Sequence, residues 1–110
     1  MSRLAAGLWV QAYLMRLQLA NIPAYVTQRG DTTAGAVLVK TAALDGTAVA
    51  RQRTYDLMTG ARQWMVMAEG VEAEVDAAIT RQCQRDPDLW VVEVEARDGR
   101  DLLDDPSLAE

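Results

Sequence analysis

Four carboxylates sit close together late in the chain: Asp86 and Asp88, then Glu93 and Glu95. Side chains alternate along a strand, so Glu93 and Glu95, two residues apart, share a face. Paired carboxylates can exchange protons with a substrate or hold a hard cation such as Mg²⁺ or Ca²⁺. The same residues also describe a solvated strand face whose charges meet Arg29 or other cations across the sheet. RDPD is, more simply, the end of a helix and the start of a strand, and the solvated face is the expectation.

Arg29, Arg51 and Arg53 form a second candidate group, with Tyr25 and Tyr55 nearby. Arginines interleaved with aromatics can bind a phosphorylated ligand or single-stranded nucleic acid. Three arginines are few, and an acidic strand beside them would neutralise part of their field. A third group is apolar. Trp9, Tyr13 and Trp64 are large aromatics at places that fold could leave open, which is the pattern of a protein interface. The alternative is that a C-terminal tail covers them.

Much other chemistry is excluded by composition. There is no histidine, which removes the commonest general base and metal ligand. A single cysteine, Cys83, leaves no ordinary zinc site and no internal disulfide. Cys83 falls late in a helix near its apolar stripe, where burial and the helix dipole both disfavour a thiolate. The only serines, Ser2 and Ser107, lie near the ends. The GDTTAG stretch has two glycines around a polar turn and lacks the lysine of a phosphate-binding loop. No cofactor, no metal and no enzymatic activity are expected.

The elements that position these groups follow from periodicity. Residues 3–20 read as a helix with Leu4, Leu8, Ala12, Met15 and Leu19 on one side, and Trp9, Tyr13, Leu17 and Ala20 widening the apolar arc. An arc that wide must bury more than one face. If the sheet covers one, the Trp9/Tyr13 side needs another helix, the tail, or a second subunit. Pro23 prevents continuation. Strands are predicted over 24–29, 36–41, 48–55, 62–67 and 89–95, separated by turn residues at Gly30–Gly35, Asp45-Gly46 and Thr59-Gly60. A second helix is predicted over 70–85, acidic early and basic late, ended by Pro87.

The order α-β-β-β-β-α-β predicts an α+β two-layer sandwich: a mostly antiparallel five-stranded sheet, strand order 5-1-2-3-4, with both helices on one face. Residues 1–97 are assigned to one domain and 98–110 to an acidic, loosely held tail. Charge is uneven. Residues 1–55 carry six basic and two acidic side chains (+4), and residues 56–110 carry five and fourteen (−9). The acidic balance argues against non-specific nucleic-acid binding. Arg3 followed by LAAGLWV faintly resembles a signal peptide, but Arg16 interrupts the apolar run. No stretch is long enough to span a membrane. A cytoplasmic protein is expected.

The stretches IPAYVTQRGDTTAGAVLVK and RDPDLWVVEVEARDGR together resemble a family of small bacterial proteins of unknown function, found mainly in alphaproteobacteria. The resemblance runs from the LWVQAYL helix to the DGR near the end. It implies a compact α+β domain of about this length and brings no activity or catalytic residue with it. The expectation is a non-enzymatic interaction domain, possible as a homodimer, contacting its partner through Trp9, Tyr13 and Trp64. The alternative is a small-molecule or anion-binding regulatory domain using Arg29, Arg51 and Arg53.

Overall fold

The computed structural model describes residues 4–108. The order is α1 (Ala6–Leu19), β1 (Ala24–Gln28), β2 (Val37–Ala42), β3 (Thr47–Tyr55), β4 (Arg62–Val71), α2 (Glu72–Arg85), β5 (Trp90–Glu95) and a short 3₁₀ turn at Pro106–Leu108. The α+β class, the element order and the mostly antiparallel five-stranded sheet are as predicted. Met1 to Arg3, including the basic start of the expected first helix, lie outside the described residues, as do Ala109 and Glu110.

Helix α1 has no side-chain cap at its start. The β1–β2 loop supplies one instead. The amides of Ala6 and Gly7 donate to the carbonyls of Thr33 (3.2 Å) and Thr32 (2.9 Å), which answers two of the amide groups a helix leaves open. Asp31 fixes that loop by accepting from the amides of Ala34 (2.7 Å) and Thr33 (3.2 Å). The flanking glycines are needed for close approach. A Cβ at Gly30 or Gly35 would fall 2.1 or 2.6 Å from the Asp88 carbonyl oxygen. GDTTAG therefore serves as a helix cap packed against the start of β5.

The sheet runs β1-β5-β2-β3-β4. β5 is antiparallel to β1 and parallel to β2, and the remaining pairs are antiparallel. The predicted order put β5 at an edge beyond β1. It lies instead between β1 and β2. Trp90, Val92 and Val94 are buried on one face and Val91 on the other, where Glu93 and Glu95 are half-buried, so β5 needs cover on both. Run-like burial of this kind marks strands in a parallel pair, and β2 is likewise buried at every position.

Both helices were expected on one face; they lie on opposite faces, so the sheet is a middle layer. Ala6, Trp9, Val10, Tyr13 and Leu17 of α1 pack with Val37, Val39, Trp90, Val92 and Val94. Val75 of α2, with Ile79 and Cys83 beside it, packs with Leu38, Ala48, Ala50, Leu89 and Val91. These strand residues alternate, hence the two faces. α2 is the crossover that carries the chain from β4 to the parallel β5, and β4 runs to Val71 rather than ending near residue 67.

The chain after β5 turns back over the α1 face. Leu102, Leu103 and Leu108 pack against the same core as Trp9. Residue 97 is therefore no boundary of the core.

Candidate functional site

Tyr13 and Trp9 are one turn apart on α1, stacked at 5.0 Å between ring centres. Neither reaches the surface: Trp9 is 1 % exposed and Tyr13 0 %. The returning chain covers them with backbone carbonyls. Trp9 Nε1 donates to the Leu108 carbonyl (3.1 Å), and the Tyr13 hydroxyl donates to that of Asp101 (2.7 Å). Burial, with the Asp101 charge adding to it, pushes the Tyr13 phenol far above its usual range. Trp64 is on the edge strand β4, yet its ring tilts inward to within 5.5 Å of Trp9. The expected interface trio is thus an internal aromatic cluster, and of the three covers considered for it the tail is the one used. The side of α1 expected to face the sheet is the open one: Leu4, Leu8, Met15 and Leu19 are 46, 56, 56 and 70 % exposed.

The three arginines do not form one anion-binding face. Arg51 pairs with Asp101 (3.1 Å). Arg53 lies over the Trp9 ring at 5.3 Å, with Arg62 at 5.5 Å. Arg29 follows β1, which is three strand spacings from β3, roughly 14 Å, and lies over the Trp90 ring at 5.3 Å. Arg51 and Arg53 were drawn to one face by alternation, but that face is the covered one.

The four carboxylates also separate. Asp86 accepts from the Asp88 amide (3.1 Å) in the loop ahead of β5, and Glu93 lies five residues further on, roughly 16 Å along a strand. Glu93 and Glu95 belong to a different cluster, on the α2 face, whose centre is Lys40. Its ammonium is 2.7 Å from Glu72, 2.7 Å from Asp76 and 3.4 Å from Glu93, and its side chain is only 4 % exposed. The Tyr25 hydroxyl donates to Glu95 (2.7 Å) and sits 3.3 Å from Glu93. Burial alone would push the Lys40 ammonium down; its bonds to Asp76 and Glu72 and the charge of Glu93 outweigh that and raise it. The hydrogen bond to Glu95, with the nearby charges, pushes Tyr25 up to about 12.

Register makes this cluster. Lys40 and Tyr25 are both lateral neighbours of Glu93, while Glu72 and Asp76, four apart, project from the first turns of α2. Sequence reasoning passed over Lys40. Its signal was a lysine inside the otherwise uncharged strand VLVKTA. The ammonium occupies the centre where a bound cation would have to sit, and among the described residues no acidic group has the spacing to hold a metal. Burial pushes the Cys83 thiol up, away from the thiolate a nucleophile requires.

A sheet with β5 inserted between β1 and β2, one helix on each face and a returning C-terminal segment can be compared with known proteins as a whole. The profile described as "Protein of unknown function (DUF1491)" matches residues 4–104. This chain belongs to the DUF1491 family. The crystal structure of a DUF1491 protein from Caulobacter crescentus CB15 is similar, with 39 % identity, 94 % of this chain and 95 % of that one covered, and a TM-score of 0.82. An NMR structure of a DUF1491 protein from the same organism gives 39 % identity, 94 % coverage of each chain and a TM-score of 0.81. Protein Atu0922 from A. tumefaciens, in solution, matches at 28 % identity over 86 % of this chain and 87 % of that one, with a TM-score of 0.74. Both organisms are alphaproteobacteria, as the resemblance implied. No curated protein matches.

Proposed function

We propose that this DUF1491 chain is a non-enzymatic protein-interaction domain that self-associates through the outer face of α1. The observation that carries this is the stripe Leu4, Leu8, Met15 and Leu19, at least 46 % exposed at every position. An apolar row along a whole helix is a standing cost in water, and it matches itself when a second copy lies antiparallel about a two-fold axis. α1 contains no acidic residue, and its single cation, Arg16, is held by Asp105 at 2.7 Å. The −5 net charge therefore does not oppose contact there. Separation of the carboxylates and the lack of histidine favour binding over catalysis. The lone Cys83 fits a reducing compartment, and no helix among the described residues is long and apolar enough to cross a membrane; we assign the protein to the cytoplasm.

The test is absolute mass by light scattering on a sizing column, at roughly 100 μM, where even a micromolar dimer is populated. Wild type is expected as a dimer, and the double variant Met15→Glu/Leu19→Glu as a folded monomer. A wild type that stays monomeric refutes self-association. A double variant that stays dimeric moves the interface elsewhere.

A further inference from the structure

We propose that the cleft between α1 and β1 is a binding site for a small organic acid with an apolar body. This goes beyond self-association and does not depend on it. The cleft has a volume of about 230 Å³. Val10, Leu14, Val26 and Trp90 give it apolar walls, and Gln11 and Arg29 are its exposed rim. Val10 and Trp90, at 1 and 3 % exposure, form its floor, and the charged group stands at the entrance.

Arg29 is the feature that selects the ligand. Its guanidinium lies over the Trp90 ring and meets no carboxylate within salt-bridge distance among the described residues, unlike Arg16 and Arg51. Asp31, two residues on, has one carboxylate oxygen taken by the amides of Thr33 and Ala34. Trp90 is itself fixed, because its Nε1 donates to the Asp31 carbonyl at 2.7 Å. A guanidinium held over an immobile ring keeps its N–H donors for another partner, and it binds a carboxylate through two parallel hydrogen bonds.

Volume sets the size of the body. A protein cavity of about 150 Å³ takes benzene, so 230 Å³ takes a ring with a two-carbon arm, or an aliphatic chain of similar bulk. 3-Phenylpropanoate fits that description, its ring against Leu14 and Val26 above a floor of Val10 and Trp90, and its carboxylate at Arg29. The same chemistry is displayed by a free carboxylic acid and by the C-terminal residue of a peptide ending in a large apolar side chain.

The experiment is a titration followed by ¹H–¹⁵N correlation spectra of the intact chain, with 3-phenylpropanoate, its uncharged amide and N-acetylphenylalanine as probes. Saturable shifts are expected at Gly7, Gln11, the Trp90 indole N–H and Arg29, with Kd near or below the millimolar range usual for so small a ligand. Arg29→Gln and the amide should each weaken binding about tenfold, the loss expected for one charge-assisted contact. Leu14→Trp, which fills the cleft, should abolish it. Met15→Glu/Leu19→Glu is titrated in parallel, because Leu8 both lines the cleft and belongs to the α1 stripe, so a dimer there would cover part of the site. Tighter binding of N-acetylphenylalanine assigns the ligand to a chain terminus, and tighter binding of 3-phenylpropanoate to a free acid. No saturable shift in either protein, or equal affinity for acid and amide, overturns the proposal.

Discussion

The two faces of the sheet are held by different physics. On the α1 face, polar groups of the core find partners mainly in backbone: Trp9 and Tyr13 donate to carbonyls of the returning chain, and Arg53 and Arg62 lie against an aromatic ring. On the α2 face the core is small and aliphatic, and one buried ammonium is shared among Glu72, Asp76 and Glu93. Backbone carbonyls do not titrate, and aromatic packing is insensitive to salt. The Trp9 cluster should therefore be indifferent to pH, while the Lys40 cluster responds to it. The alternation of VLVKTA along β2 places Val39 on one face and Lys40 on the other, so one strand serves both regimes.

Three substitutions break that comparison, in descending order of effect. Trp9→Ala removes the hub of the aromatic cluster and is expected to cost about 3–5 kcal/mol, typical of a fully buried aromatic. Urea unfolding measures it, and the loss should be the same at pH 6 and pH 8. Lys40→Met should cost about 2–3 kcal/mol, somewhat less than breaking a deeply buried pair because its carboxylate partners are part-exposed. The residual carboxylates then repel one another. The sign of its pH dependence follows from the raised ammonium. The stabilisation is complete below the unfolded lysine value, about 10.4, and falls as pH rises toward the folded one. The gap between wild type and Lys40→Met should accordingly narrow above that pH. A gap that widened there would contradict the arrangement. Combining Trp9→Ala with Lys40→Met sharpens the contrast, since sites on opposite faces without shared partners should add to within about 0.5 kcal/mol. Arg16→Ala gives the smallest effect. Its bond to Asp105 is short, but Arg16 is 45 % exposed, so no more than about 0.5 kcal/mol is expected.

Sequence patterns foretold which surfaces need cover better than they foretold the cover. The wide apolar arc of α1 correctly marks a helix with more apolar surface than one sheet face can bury. Periodicity cannot say which part faces the sheet. Trp9 and Tyr13 went inward because their carbonyl partners lie in the tail, about ninety residues away, while Leu8 and Leu19 stayed out. β5 was legible as a strand with Trp90, Val92 and Val94 on one side. Its central place was marked only by Val91, an apolar residue on a side that otherwise carries Glu93 and Glu95. The Lys40 cluster was hidden for a different reason. Its members come from β2, α2 and β5, and only the parallel register brings them together. Glu93 and Glu95 were noticed, whereas the cation between them and the helix was not. GDTTAG was legible as a turn, but its role as a cap for α1 depends on contacts from the far end of the helix–strand connection.

The hydrogen bond from Trp9 to the Leu108 carbonyl spans 99 residues. A ribosome makes α1 well before its cover. Once β5 is made the indole has the sheet face and Tyr13 beside it but not yet the carbonyl that accepts from its N–H, so the α2 half of the molecule can settle before the α1 half is sealed. Long-range closure of this kind slows folding and leaves a period in which an aromatic surface is open to other nascent chains. The last turn of the described chain is therefore the step that ends the protein's exposure to misassembly.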